Sequence, residues 1–573
     1  MKKVKICEFS PSDLLLDCIK EMTERAKLDS SISLGVVLEK GKILGSISDG
    51  DIRRYLVSSS ANINSDLAKD VMNIDPFCIS EESIPNIKDR LLEINRKINY
   101  AFIKDKKNNY LYSIELKNFL EEDEIKDDQA SVNFIDFDKT VVVGLGFVGL
   151  TLAVHIAKSG FPVIGIDSDQ TIIKSLNKKE IPFYEQGMQS ALDELESDSL
   201  SFKNNIPKLD SEKRNIFIIA VGTPITNNSA NFDQLESSIR SINEHISHND
   251  LLVIRSTVPI GTCKEFISKF IDPDKRVHIC MAPERTAEGI ALSELQILPQ
   301  IIGADDYESG EIAKKYFERF SSSVINAGST TAAEISKLVC NSYRDLNFGF
   351  ANELALLCED LQIDAFDLIS NCNIGYKRMN MPLPSPGVGG YCLSKDPILY
   401  ANSGNSISNL FEGKLSKFAR EANIQAGLSP DRAINHFQNH NLERKKKKLK
   451  ILVCGVAFKG SPETDDVRFS TSMDFVNRMI KLNHNVFITD ASKMTLKRLQ
   501  NKFQIFNFDK KIDNDFDAIV VLNNNPKNLE LNYSDWLNNS KIKMFFDGWH
   551  QFSSYRNNFK AKNTTYATMG AIK

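Results

Sequence analysis

The stretch TVVVGLGFVGLTLAVHIAKSG, residues 140–160, decides the fold. A strand-type run, Thr140–Val143, leads straight into Gly144-Leu145-Gly146-Phe147-Val148-Gly149, and an amphipathic helical pattern follows. Gly-x-Gly-x-x-Gly alone is a weak signal. Here a second strand, Phe161–Ile166, follows the helix and ends at Asp167. Strand, glycine turn, helix, strand and acid together make the fingerprint of a dinucleotide-binding βαβ unit. Gly144 permits the tight turn, Gly146 lets the backbone approach a pyrophosphate, and Gly149 lets helix and strand pack closely. Phe147 and Val148 open the helix, whose free N–H groups and positive end favour phosphate. Asp167 accepts from ribose hydroxyls and repels a 2′-phosphate, so NAD is favoured over NADP.

Around this unit lies a long chain of ordinary composition. Its 573 residues are 42% apolar and 25% charged, which implies two to four domains. Global disorder, a collagen-like chain and a disulfide-stapled scaffold are excluded. No apolar run reaches the roughly 18 residues a membrane span needs, and MKKVKICEFSPSDLLLDCIKE has no long apolar stretch of the secretory kind. A net charge of −4 gives no sign of a nucleic-acid partner. Ten scattered cysteines without C-x-x-C spacing read as reduced thiols in a cytoplasmic protein. The histidine pairs His245/His248 and His436/His440 lack a third ligand, so no metal site is expected.

Upstream, SLGVVLEKGKILGSISDGDIRRYL (33–56) reads as two strands, Gly35–Glu39 and Ile43–Ser48, around a Lys40-Gly41 turn. Asp49 or Asp51 would cap a helix from Ile52, and a helical stretch, Ser12 to about Ala26, precedes them. The pattern recurs at Tyr100 to Leu120, an internal repeat of about 65 residues that aligns Ser113 with Ser48. The charged run 121–129 is the expected linker. Downstream, strand and helix signals alternate to about residue 325, then a long helical region covers 331–362. A Pro/Gly-rich loop follows at 382–390, then helix from about 396 to 440. A basic run, Arg444 to Lys448, reads as a solvated face between domains, and KILVCGVAF (450–458) opens a second α/β segment.

Two clusters carry chemistry. In GGYCLSKDP, Cys392 follows the glycine loop Gly387-Val388-Gly389-Gly390, where a ligand could approach main chain. A helix starting at Cys392 would favour thiolate through its N-terminus and Lys395, and Asp396 lies one turn on. A nucleophile with a carboxylate a turn away suits thioester formation and then water attack. In EISKLVCNSYRD, Lys337 and Asn341 share a face of an otherwise largely apolar helix. They would serve a developing oxyanion, and spacing alone favours a solvated stripe.

With these residues in view, 138–573 resembles the UDP-glucose/GDP-mannose dehydrogenase family of nucleotide-sugar 6-dehydrogenases. The matching stretches are VVVGLGFVGL, VGTP, STVPIGT, APERTAEG, EISKLVCNSYRDLNFGFANELA, PGVGGYCLSKDP and AFKGSPETDDVRFS, in family order. The resemblance implies an α/β fold with two Rossmann-like domains joined by a long-helix dimerisation region. It also implies a four-electron oxidation of a sugar C6 alcohol to the uronate through a Cys392 thioester, with two NAD reduced. Asp396 would assist the water, Lys337 and Asn341 would stabilise the oxyanion, and Glu284 would act as acid/base through water. Thr257 would lie beside nicotinamide and catalytic water. Thr223, Glu288, Lys395 and Arg468 would contact NAD. Glu284, Arg285, Glu288, Lys337, Asn341, Arg344, Arg378, Gly389 and Lys459 would contact the nucleotide sugar. A homodimer is implied.

APER, SYRD-x-NFGFANELA, PGVGG and Arg378-x-Asn380 resemble the branch acting on UDP-N-acetylhexosamines, UDP-GlcNAc or UDP-ManNAc. CLSKD, without a histidine before the cysteine, looks more like the UDP-glucose branch, and the stretch after Lys459 is longer than in many members. UDP-glucose or GDP-mannose is the alternative substrate. A two-electron hydroxyacid-type dehydrogenase and a non-catalytic nucleotide sensor are alternatives of other kinds. The N-terminal repeat resembles an α+β CBS-domain pair, with Gly45-Ser46-Ile47-Ser48-Asp49-Gly50-Asp51 matching its ribose-binding stretch; Ser48 and Asp51 would hold a regulatory nucleotide. The expected domains are 1–125 (CBS pair), 138–328 (NAD-binding), 329–445 (central helical) and 446–573 (UDP-sugar-binding).

Overall fold

The computed structural model describes residues 2–4, 6–28, 34–48, 51–52, 55, 65–82, 100–115, 137–196, 198–210, 212–226, 229–403, 410–440, 448–506, 516–530 and 542–572. The expected linker at 121–129, residues 444–447 of the basic run, Asp49, and the second-repeat positions after Glu115 lie outside them. The chain divides into two compact units, Met1–Asn133 and Phe134–Lys573.

In the first unit the repeat is built twice over. Cys7–Phe9 runs parallel to Leu34–Glu39, which turns at Lys40-Gly41 and pairs antiparallel with Lys42–Ser48. Cys78–Ser80, Tyr100–Lys104 and Tyr110–Glu115 do the same, with a bulge at the matching place, after Val37 and after Ile103. The turn between the last two strands is one residue longer in the second copy, where Lys104 pairs with Tyr110 as Leu38 pairs with Ile43, and this resets the alignment. Val36 pairs with Ser46 as Phe102 pairs with Ser113, so Ser113 is the counterpart of Ser46, not of Ser48; Glu115 stands in the place of Ser48. Helix Leu15–Leu28 covers the first sheet through Leu15, Cys18 and Met22. Ser48, rather than Asp51, takes the capping position. Its hydroxyl donates to Asp51 Oδ2 at 2.6 Å and accepts from Asp51 N at 3.3 Å, so the pair expected on a ribose is engaged with itself.

The larger unit holds two six-stranded parallel sheets with one topology. The first runs Leu200–Lys203, Val163–Ile166, Phe137–Val143, Arg214–Ile219, Leu251–Ile254, His278–Met281. The second runs Gln504–Ile505, Asn485–Thr489, Lys450–Cys454, Ala518–Val521, Met544–Asp547, Thr565–Thr568. Each is the order third-second-first-fourth-fifth-sixth, and each reverses beside its first strand, where doubly wound sheets open a crevice. Central strands are apolar without alternation because helices cover both faces.

Between the sheets, helix Thr330–Leu361 starts at Ser329, whose hydroxyl accepts from Ala332 N at 3.1 Å. It packs on Lys414–Ala426, and Gly349 has no Cβ where Ala419 presses in. The region expected as helix from about 396 to 440 holds, among the described residues, the helices Tyr391–Asn402, Lys414–Ala426 and Ser429–His440. On the long helix Val339, Tyr343, Phe350, Leu357 and Leu361 are exposed, as are Leu415, Phe418 and Ile424 on its neighbour. No helix among the described residues is long and apolar enough to cross a membrane.

Candidate active site

The cysteine helix begins at Tyr391, one residue before the expected start, with Gly390 at φ 88° as its N-cap. Cys392 is solvent-accessible. Its thiol is nonetheless pushed up, by burial of its surroundings first and by the Asp396 charge next, against the pull of Lys337 and Lys395. The expected thiolate bias is therefore reversed: a helix end and two lysines do not outweigh desolvation and a buried carboxylate. Asp396 is fully buried. Asn341 Nδ2 donates to its Oδ2 at 2.6 Å, Lys395 Nζ stands 3.6 Å from its Oδ1, and that Oδ1 accepts no hydrogen bond.

Lys337 and Asn341 are both 6% exposed, so they form no solvated stripe. With Glu334 and Asp345 they make a buried polar row along the long helix. Glu334 accepts from Gly261 N at 2.6 Å and Cys263 N at 2.8 Å, which ties the STVPIGT turn, and with it Thr257, to that helix. Thr223 Oγ1 donates to the Thr257 carbonyl and accepts from Lys395 Nζ at 3.0 Å. Burial lowers Lys395.

Glu284 ends the first sheet's side of the cleft. Burial alone would raise it. Arg255, which is fully buried and bonded to it, the Thr286 N–H and Lys337 outweigh burial and hold it below the usual carboxylate range. Arg285 N also donates to it at 2.6 Å. It is thus an ionised group, and the general-acid half of its expected role is not what the geometry supplies. The Arg285 guanidinium is taken by the Pro299 carbonyl.

The second sheet closes on this group. Lys459 Nζ donates to the Glu288 carbonyl at 2.6 Å, and Thr464 Oγ1 to Glu288 Oε1 at 2.9 Å. Burial, then the Asp466 charge, pushes Glu288 up to about 7. Lys395 Nζ and Arg468 Cζ each stand 5.1 Å from the centroid of the Tyr391 ring. The longer stretch after Lys459 has a use: Asp465 Oδ1 accepts from Tyr184 N at 2.9 Å, across to the first sheet's side. The glycine loop was expected to leave main chain open to a ligand. Instead the missing Cβ of Gly389 faces the Phe469 carbonyl and that of Gly390 the Phe458 ring, so these glycines admit the neighbouring domain. Arg344 is exposed, and its charge is felt at Lys459; Arg378 is exposed over the Tyr376 ring at 5.9 Å.

At the other crevice Gly144 has φ 94°, and a Cβ at Gly149 would collide with the Gly144 carbonyl. Nothing stands within 4 Å of where a Gly146 Cβ would be. Helix Phe147–Lys158 starts with no side-chain cap, and Asp167 Oδ2 accepts from Leu145 N at 2.8 Å.

The sequence matches the NAD binding domain of the UDP-glucose/GDP-mannose dehydrogenase family over residues 138–321, its central domain over 331–424 and its UDP binding domain over 452–554. A UDP-N-acetyl-D-mannosamine dehydrogenase of Campylobacter jejuni is 31% identical over 395 residues, 64% of this chain and 90% of that one. The chain belongs to the UDP-glucose/GDP-mannose dehydrogenase family. The structure of UDP-D-ManNAc dehydrogenase from Pyrococcus horikoshii covers 76% of this chain and 99% of its own, with a TM-score of 0.65 at 26% identity. That of a UDP-glucose dehydrogenase from Pyrobaculum islandicum covers 78% and 100%, with a TM-score of 0.63 at 24% identity, and speaks for the fold.

As a family member the protein is an NAD-dependent nucleotide-sugar dehydrogenase, an oxidoreductase. The first crevice fits the cofactor: an open space at Gly146, an uncapped helix start and an acid at the second strand's end are the features a dinucleotide needs. Arg255, Glu334, Thr464 and Tyr391 are the site residues that motif reading missed. Each bonds or packs against a group far away in sequence. Tyr391 alone gave a signal, standing where one branch of the family has histidine.

Proposed function

We propose that this enzyme oxidises the C6 hydroxyl of a UDP-N-acetylhexosamine, UDP-GlcNAc or UDP-ManNAc, to the uronate through a thioester on Cys392. The observation that carries this is an accessible thiol one helical turn from a buried carboxylate, Asp396, whose free Oδ1 accepts no hydrogen bond. The relatives named as UDP-N-acetyl-D-mannosamine dehydrogenases support the sugar class. Bound NAD supplies the hydride acceptor for each of two oxidations.

The chain's own groups do the rest. The alcohol gives up hydride and proton and becomes the aldehyde. The Cys392 sulfur adds to that carbon and its proton passes to the oxygen, giving a thiohemiacetal. Loss of a second hydride and proton leaves the thioester. Water adds, the C–S bond breaks, and the thiol is restored with release of the carboxylate. Asn341 keeps one amide hydrogen for the oxyanion after giving the other to Asp396, and Lys337 adds positive charge on the same side. Asp396 Oδ1 orients the water. Glu284, held ionised, acts as a base through water.

Thr223, Lys395, Arg468 and Thr257 serve NAD; Lys459 and Glu288 serve the nucleotide sugar. The exposed row Val339, Tyr343, Phe350, Leu357 and Leu361 supports a homodimer through the long helices. The first unit's repeat supports a CBS-type module, with a regulatory nucleotide displacing the Ser48–Asp51 bond. A stoichiometric assay across UDP-GlcNAc, UDP-ManNAc, UDP-GalNAc, UDP-glucose and GDP-mannose tests the reading. Two NADH per sugar are expected for an acetylated UDP-sugar, with Cys392→Ser stalled before uronate. One NADH per sugar, or full uronate turnover by the variant, sinks it.

A further inference from the structure

The helix that carries Cys392 has no side-chain cap at its start, yet the chain on both sides of the sulfur is held. Arg420, on helix Lys414–Ala426, holds it. Its Nη1 donates to the Leu393 carbonyl at 3.0 Å and its Nη2 to the Val388 carbonyl at 3.0 Å. The same Nη1 donates to Asp345 Oδ1 at 2.6 Å. Asp345 is fully buried on the long helix, one turn beyond Asn341 and two beyond Lys337. Asn423 Nδ2 donates to that carboxylate oxygen at 2.8 Å, and Asn352 Nδ2 to Asn423 Oδ1 at 2.8 Å. Asn352 Oδ1 in turn accepts from Ser385 N at 2.8 Å, and Ser385 Oγ donates to the Gly387 carbonyl at 3.0 Å. The loop from Ser385 to Leu393 is tied to the helix that carries Lys337 and Asn341.

We propose that Arg420, braced by Asp345, is the positioning residue that fixes the Cys392 loop against the Lys337–Asn341 face. A planar guanidinium reaches two carbonyls and a carboxylate from one fixed fork, which an ammonium on a flexible stem does not. The proposal rests on the thioester reading, because only a nucleophile needs its sulfur set against an oxyanion site.

Arg420→Lys is the test. Lysine keeps a cation opposite Asp345, so a merely structural ion pair is preserved while the fork is lost. The unfolding midpoint should stay near that of the wild type. kcat should fall roughly tenfold with both KM values within about twofold, since misplaced reacting groups cost rate more than binding. Alkylation of Cys392 by iodoacetamide in the free full-length protein, followed by mass spectrometry, should change about threefold or more, with the exposed Cys340 and Cys372 unaffected. Unchanged Cys392 alkylation overturns the clamp, whatever happens to kcat. If alkylation shifts selectively while Cys392→Ser still makes uronate at full rate, the clamp stands and the thioester reading falls. Should Arg420→Lys not fold, Asp345→Asn carries the same two readouts, with the same sign expected and the same overturning result.

Discussion

In both parallel sheets of the larger unit the first strand ends in a glycine of positive φ, Gly144 at 94° and Gly455 at 84°. Each also has a glycine five residues on, Gly149 and Gly460. The middle position differs. The first sheet has Gly146, with nothing within 4 Å of a Cβ there; the second has the buried Ala457. The acid at the end of each second strand differs too. Asp167 is half-buried and accepts from Leu145 N and Asp169 N, while Asp490 is buried and takes Val456 N, Ala457 N and Ser492 N. Asn523 and Asn525 press against Gly455 and Gly460. The same turn thus serves two ends. Where the crevice is open it is a dinucleotide cradle; where asparagines fill it, its glycines admit protein.

The largest expected effect separates the two directly. Gly146→Val should weaken NAD binding by about tenfold to a hundredfold, because overpacking costs about 1–3 kcal/mol and 1.4 kcal/mol is tenfold. Gly146 has φ −69°, which valine adopts, so the unfolding midpoint should hold. Ala457→Gly should leave NAD binding unchanged, since Asn523 and Asn525 still fill that crevice. Isothermal titration reads both. A Gly146→Val protein that binds NAD like the wild type breaks the comparison.

What the sequence disclosed follows the same division. The first crevice was readable because strand, turn, helix and acid are contiguous, and each glycine's role is a local backbone matter. The cysteine loop was misread because PGVGG looks the same whether its glycines face a ligand or, as here, Phe469 and Phe458. The Lys337–Asn341 spacing gave a shared helix face but not its burial, which depends on Gly261, Cys263 and Asp396 from other elements. The repeat was visible, but the turn before Tyr110 is one residue longer than the turn before Ile43, so a single fixed spacing could not align both strands of the hairpin. Arg255 and Arg420 were invisible because their partners, Glu284 and Asp345, are brought near only by the sheets and helices between them.

A second contrast concerns the two acids. Asp490→Ala strands three backbone N–H groups in a buried place, at about 1–3 kcal/mol for each unsatisfied group. A loss of at least about 2 kcal/mol in unfolding free energy is expected on that basis, with NAD affinity little changed. Asp167→Ala should do the reverse: a stability loss under about 1 kcal/mol, as for exposed hydrogen bonds, with weaker NAD binding and a narrower preference over NADP. Chemical denaturation beside titration with each dinucleotide reads the pair. Equal stability losses for the two variants would erase the distinction between a cofactor acid and a structural one.

A third contrast lies on the seam between the sheets, at Glu288. Its carbonyl takes Lys459 and its carboxyl takes Thr464, both from the second sheet's loop. Burial and the Asp466 charge raise it from an ordinary 4.5 to about 7. Between those values the folded chain holds a proton that the unfolded chain releases, so this group's contribution to stability is lost as pH rises from about 4.5 to 7 and is flat above. Glu288→Gln cannot ionise and keeps the carbonyl bond to Lys459. Its unfolding midpoint should therefore gain on the wild type between pH 5 and pH 8, while the gap at pH 5 stays small. Thermal denaturation of both proteins across that range checks it. Parallel curves would mean that the carboxyl ionises freely, and that the two sheets meet around it less tightly than the bonds to Thr464 and Lys459 imply.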